Sequence, residues 1–165
     1  NFDPKIINTE LELLKKVGAK IETNNNTIFI KGPNKLRSVK NIKTKEFPGI
    51  PTDLQAQLMV LMCRSVGNSS ITESIFENRF MHVAELQRLG AKINIKNNKA
   101  FIEGNTKFIG AELMSSDLRA SVALVLAALV ANGKSIVGRV YHLERGYENI
   151  VSKLKKIGVK IRRLK

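Results

Sequence analysis

The sequence has a single cysteine, no tryptophan and few aromatic residues of any kind. Cys63 lies in the apolar run Leu58-Met59-Val60-Leu61-Met62-Cys63. A disulfide framework within the chain is therefore excluded, a reducing compartment is expected, and the thiol reads as buried filler because nothing beside it would stabilise a thiolate. With aromatics at 5% and no recognisable nucleic-acid motif, platforms for stacking bases are hard to find. Long apolar runs are missing too. The longest, Val122 to Ala131, falls well short of the ~20 residues that cross a bilayer. Asn1 to Lys20 mixes charges throughout, unlike a secretory leader. The expectation is a soluble, cytoplasmic protein without a membrane partner. His82 and His142 lack metal-ligand spacing, and no Cys/His/carboxylate cluster, nucleophile triad or G-x-x-x-x-G-K loop is present. No metal and no cofactor is expected.

Acidic residues are also scarce, 14 against 28 Lys and Arg, which leaves a net charge of +14. Such a balance suits an anionic partner, whether nucleic acid, membrane surface or acidic small molecule. The lysines are spread along the chain, however, and only 153–165 forms a dense basic block. A functional positive field and a general Lys, Ile and Asn bias both account for it. What the chain does contain is enough apolar residue, 43% of 165, for one globular body with a real core.

It also contains a repeat. Leu14-Lys15-Lys16-Val17-Gly18-Ala19-Lys20-Ile21 returns as Leu86-Gln87-Arg88-Leu89-Gly90-Ala91-Lys92-Ile93 and as Leu154-Lys155-Lys156-Ile157-Gly158-Val159-Lys160-Ile161. Each copy reads as the end of an amphipathic helix, a glycine cap and a strand. Asn25-Asn26 and Asn97-Asn98 then predict hairpins in the first two copies. Upstream, Thr52-Asp53-Leu54 is matched by Ser116-Asp117-Leu118, each opening a long apolar helix, Asp53 to Val66 and Asp117 to Ala131, with a short strand after Gly67 and Gly133. The unit is thus helix, strand, helix, strand, strand, an α/β (α+β) pattern. Residues 1–32 make a half unit, 47–104 a second unit and 111–165 a third, within one partial domain spanning 1–165. The second apolar helix is apolar nearly all round, which predicts burial on every side and failure to fold if Leu124 or Leu126 became Asp. Because residues 1–32 match only the latter part of a unit and the first residue is Asn, the expectation is a piece of a longer protein.

The chemistry is expected around Phe47-Pro48-Gly49-Ile50-Pro51-Thr52-Asp53-Leu54-Gln55-Ala56-Gln57. Two prolines limit the backbone, Gly49 permits a bend, and Thr52 with Gln55 has the spacing of a capping box, so a helix should begin at Asp53. A carboxylate there is favoured by unpaired N–H groups and can accept a hydrogen bond or a proton from a substrate hydroxyl. It also stabilises a helix start whatever else it does. Arg119 and Arg145 offer planar two-pronged donors for phosphate or carboxylate, although each taken singly would serve equally as a surface or ion-pair residue.

These stretches, with Ile75-Phe76-Glu77-Asn78-Arg79-Phe80-Met81-His82, Ser116-Asp117-Leu118-Arg119-Ala120-Ser121 and Val140-Tyr141-His142-Leu143-Glu144-Arg145-Gly146-Tyr147-Glu148, resemble the UDP-N-acetylglucosamine 1-carboxyvinyltransferase branch of the enolpyruvyl transferases. The shikimate-pathway branch shares the fold, but the Asn-Arg-Phe-Met-His and Arg-Gly-Tyr motifs favour the cell-wall branch. The resemblance implies an inside-out α/β barrel, with buried helices and outer sheets, that is incomplete here. It implies transfer of the enolpyruvyl group of phosphoenolpyruvate to UDP-N-acetylglucosamine. Asp53 would accept the proton of the attacking sugar hydroxyl, and Ile75 would contact UDP-N-acetylglucosamine through its backbone. Arg119 and Arg145 would lie at phosphoenolpyruvate, Arg145 gripping its anionic groups. Arg79 and Asp117 would support the site by ion pairing. Glu144 stands where the family more often has Asp. The family's proton-donating Cys loop and its Lys-Asn pair belong to the N-terminal half, so that half is the expected partner, and the chain alone is expected to be inactive.

Overall fold

Glycine sets the joints of the molecule, which is described for residues 3–164 by a computed structural model. Helix α1 (Asn8–Val17) buries Leu11, Leu13 and Val17 and stops at Gly18, whose φ of 111° lets its N–H reach back to the carbonyls of Leu14 and Lys15. Few residues with a Cβ take that left-handed conformation, so the chain turns there into β1 (Lys20–Asn24). Strand β1 pairs antiparallel with β2 (Thr27–Lys31), Asn24 opposite Thr27, so that Asn25-Asn26 is the two-residue turn the sequence predicts.

The central sheet comes next. In chain order residues 41–103 form β3 (Asn41–Lys43), which lies ahead of the expected second unit, a 3-10 turn over Thr52–Leu54, α2 (Gln55–Arg64), β4 (Ser69–Thr72), α3 (Val83–Arg88), β5 (Lys92–Lys96) and β6 (Lys99–Glu103). Gly90, at φ 95°, repeats the role of Gly18 between α3 and β5. The strands lie in the order β3-β4-β6-β5, with β3 and β4 parallel across α2 and the other neighbours antiparallel. The third unit repeats the crossover. Strands β7 (Glu112–Met114) and β8 (Ile136–Gly138) are parallel and joined through α4 (Leu118–Leu129), before the short α5 (Tyr141–Glu144) and α6 (Ile150–Lys156).

Four expectations need correcting. The helix after Pro51 does not open on a capping box: Thr52–Leu54 is a 3-10 turn, α2 begins at Gln55, and the Thr52 hydroxyl is spent on Glu73 instead of on the helix. Each apolar helix is preceded by a parallel strand, β3 or β7, that the sequence reading does not foresee; at three residues neither can display alternation. After Gly158 no strand forms, because none of the described segments lies beside 159–164 to share a ladder. Lastly, α4 is not covered all round. Its Leu124 is inaccessible, but Leu126 is 39% and Val130 49% exposed, because α2 packs one flank, α5 another, and none of the described elements covers the third.

The core is otherwise helical and central. Met59, Met62 and Cys63 of α2 meet Ala123, Leu124 and Ala127 of α4, with Leu86, Leu89 and Phe108 closing around them. Each large apolar side chain so enclosed stabilises by about 1.5–3 kcal/mol. Sheets lie outside the helices, but the two-, four- and two-stranded sheets are not joined, so the implied barrel is not closed. Among the described residues no helix is long and apolar enough to cross a membrane.

Candidate active site

Both parallel crossovers leave the carboxyl end of a strand next to the start of a long helix, and the sequence-singled residues gather at that end. Beyond β3 the chain makes a tight loop in which Lys45 N–H donates to the Ile50 carbonyl at 2.8 Å and Gly49 N–H to the Glu46 carbonyl at 2.7 Å. A Cβ at Gly49 would lie 2.4 Å from the Lys45 Cβ, so only glycine closes the loop. The loop hands Pro51, Thr52 and Asp53 to the start of α2. There the Asp53 carboxylate accepts from Nε of Arg119, which stands in the first turn of α4. Sequence reading picks out both residues but does not pair them. Their side chains are 64% and 35% exposed, and an exposed ion pair contributes roughly 0–1 kcal/mol. The contact is therefore of more use for orientation than for stability.

Asp117 is the N-cap of α4. Its carboxylate accepts from the backbone N–H groups of Arg119 at 2.9 Å and Ala120 at 3.1 Å, holding the turn that carries Arg119. Burial pushes the Asp117 carboxyl up, but the Ala120 and Arg119 N–H groups, the Ser116 hydroxyl and nearby His82 outweigh it and hold the group below its ordinary 3.8. The ion pairing expected of Asp117 and Arg79 is not found among the described residues: Asp117 caps a helix, and the Arg79 guanidinium lies 4.3 Å over the Phe76 ring. Arg145 is exposed at the end of α5. Its neighbour Gly146 packs so closely on Leu118 that a Cβ there would sit 2.8 Å from the Leu118 side chain, which keeps the Arg145 stretch beside the start of α4. Glu144 pairs with Arg163 at 2.7 Å.

Ile75 lies in the loop after β4, half buried, and its N–H is already donated to Glu73 at 2.8 Å, leaving the carbonyl as the backbone group for a ligand. Glu73 is the residue whose importance the sequence hides. It is 2% exposed and joins the Asp53 turn to the Ile75 loop. A cleft of about 740 Å³ runs between this loop and the β5–β6 turn, lined by Ile75, Phe76, Arg79, Ile95 and Asn98 among others. It reaches Ile75 but neither Asp53 nor Arg119, so the ion-paired groups stand on an open surface. Cys63 takes no part: burial pushes its thiol up to about 12. Among the described residues no three His, Cys, Asp or Glu side chains are grouped to hold a metal.

Buried paired helices with sheets outside them agree with the fold that the sequence resemblance implies. The chain belongs to the enolpyruvyl transferase family: the family described as EPSP synthase (3-phosphoshikimate 1-carboxyvinyltransferase) matches residues 1–154. Within it, the chain is 62% identical over 163 residues to the UDP-N-acetylglucosamine 1-carboxyvinyltransferase of Pelagibacter ubique, covering 99% of this chain and 39% of that protein. It is 51% identical over 164 residues to the protein of the same name from Desulfosudis oleivorans, again covering 99% of this chain and 39% of the relative. The chain thus spans about two fifths of the length of these curated relatives. Among solved structures, the enolpyruvyl transferase NikO from Streptomyces tendae superposes with a TM-score of 0.86 at 29% identity, over 94% of this chain and 36% of that one. EPSP synthase from Acinetobacter baumannii superposes at 0.73 with 19% identity, over 94% and 39% of the two chains, a likeness of fold alone.

Proposed function

We propose that this chain forms one wall of an enzyme that transfers the enolpyruvyl group of phosphoenolpyruvate to UDP-N-acetylglucosamine, the first committed step of peptidoglycan synthesis. The observation that carries the reading is the pairing of Asp53 with Arg119 across the starts of α2 and α4. A base must sit beside the cation that holds the anionic co-substrate, and here the two touch. In the transfer, Asp53 takes the proton of a sugar hydroxyl as its oxygen bonds to the enol carbon of phosphoenolpyruvate, while the methylene carbon gains a proton. The tetrahedral adduct then loses phosphate and a methyl proton, and the double bond is restored. Arg119 turns from Asp53 to the incoming anion, which frees the carboxylate to act as base, and Arg145 grips the same anion from α5. Both cations are in place before charge develops. Ile75 meets the sugar nucleotide through its backbone carbonyl, and Arg79 and Asp117 hold the surrounding turns. The curated relatives from Pelagibacter ubique and Desulfosudis oleivorans carry this activity in their names. The lone reduced thiol suits a cytoplasmic enzyme.

The proton donor and the remaining wall of the cleft come from the rest of the longer protein. Replacing Asp53 by Asn in that full-length protein should lower turnover ~10²–10⁴-fold and leave sugar-nucleotide affinity, read by calorimetry, largely intact. Normal turnover by the variant would remove Asp53 from this role.

A further inference from the structure

We propose that Glu73 is a positioning residue for the transfer reaction, locking the turn that carries Asp53 and the loop that carries Ile75 into one geometry; the inference deepens the functional reading above and rests on it. Glu73 follows β4, is 2% exposed, and is paired with no Lys, Arg or His among the described residues. Its carboxylate is satisfied instead by four neutral donors. Oε1 accepts from the Thr44 hydroxyl at 2.8 Å, from Ile75 N–H at 2.8 Å and from Phe76 N–H at 3.2 Å. Oε2 accepts from the Thr52 hydroxyl at 2.8 Å. The donors come from three separate segments: the end of β3, the 3-10 turn before α2 and the loop after β4. Glu73 is itself clamped from a fourth, since its N–H donates to the Asn98 carbonyl at 2.9 Å and its carbonyl accepts from the Asn98 side chain at 3.0 Å.

Burying a carboxylate without a counter-cation is unfavourable, and an apolar side chain would fill the space at less cost. What an apolar side chain cannot do is hold three segments at once. An ionised carboxylate only accepts, so four donors converging on it define a single arrangement. Two of those donors belong to Thr52, next to Asp53, and to Ile75. The exposed Asp53 and the half-buried Ile75 are thereby set from one buried point. Glu73 is 2% exposed where it borders the cleft beside Ile75, and its four acceptor contacts are all internal, so its influence passes through Thr52 and the Ile75 loop.

The test uses the full-length protein that contains this chain, with Thr52→Val, Glu73→Ala, Glu73→Gln and Asp53→Asn. Thr52→Val keeps shape and cuts only the arm to Asp53; it should lower kcat about 10-fold and leave the KM for sugar nucleotide unchanged. Glu73→Ala cuts both arms and should lower kcat ~10²-fold while raising that KM several-fold. Glu73→Gln keeps the three bonds at one oxygen, and the Thr52 hydroxyl can turn to accept from the amide, so it should recover most of both losses. A merely structural role would instead lower melting temperature and active enzyme together, with KM unmoved. Wild-type kcat in Thr52→Val overturns the proposal, as do Glu73 losses that track only the folded fraction. If Glu73→Ala does not fold, Thr52→Val and Glu73→Gln decide. An inactive Asp53→Asn beside a wild-type Thr52→Val sinks the positioning role alone, whereas normal turnover by Asp53→Asn sinks both readings.

Discussion

His82 is 3% exposed, and its Nε2 has no hydrogen-bond partner among the described residues. Burial pushes its pKa down to about 4 from an ordinary 6.5, against the opposing pull of the Asp117 charge and a backbone hydrogen bond with Arg79. The ring is therefore neutral in the folded protein at pH 5, where an unfolded chain would bind a proton. Between the two pKa values the unfolded state holds more protons, so stability rises with pH; it is fully present above about 6.5 and lost as pH falls towards 4. The loss across that window is at most about 3 kcal/mol. His82→Phe should flatten the fall in urea midpoint between pH 7 and 4.5 relative to the parent. An unchanged slope would show that His82 is not the group responsible. Asp117 acts in a separate window: its carboxyl is held below 3.8, so the stability it contributes persists above that value and is lost only in stronger acid.

At the scale of elements, the two buried helices make a sharp comparison possible within one turn of α4. Leu124 is wholly enclosed against α2, whereas Leu126 is 39% exposed. Leu124→Ala should cost ~2–5 kcal/mol, with the cavity adding to the lost burial. Leu126→Ala in the same chain should cost under ~1 kcal/mol. Equal shifts in denaturant midpoint would mean that the third flank of α4 is covered in solution. This pair also shows what sequence can and cannot say. Hairpins, glycine joints and the apolar helices were legible because Gly18, Gly90 and the Asn pairs act on their immediate neighbours. Which flank of α4 would be left open was not, because that depends on the placement of α2 and α5. Asp53 and Arg119 were each legible from motif but not as a pair, being 66 positions apart. The role of Glu73 was not legible, since its donors sit at Thr44, Thr52, Ile75 and Phe76 and converge only in the folded chain.

At the scale of the whole molecule, the sheets remain unjoined, α4 keeps its apolar stripe of Leu126 and Val130, and the outer hairpin shows Phe29 at 63% and Ile30 at 49% exposure. The chain also spans 39% of the length of its Pelagibacter relative. Asp53 and Arg119 therefore stand in water, where the attraction between a guanidinium and an anion 4 Å apart is only about 1 kcal/mol, a small part of what a closed site supplies. On the proposed mechanism the general acid comes from outside this chain, which withholds a further ~10²–10⁴-fold, and two unpositioned substrates cost several kcal/mol more. The expected outcome is that these 165 residues alone release no measurable phosphate from phosphoenolpyruvate and UDP-N-acetylglucosamine. Turnover should return when the remainder of the protein is supplied in trans, docking along the edge offered by the β1–β2 hairpin. Phosphate release followed for the chain alone, the remainder alone and the mixture checks this. Robust turnover by the chain alone would mean that the open surface around Asp53 and Arg119 is already a complete active site.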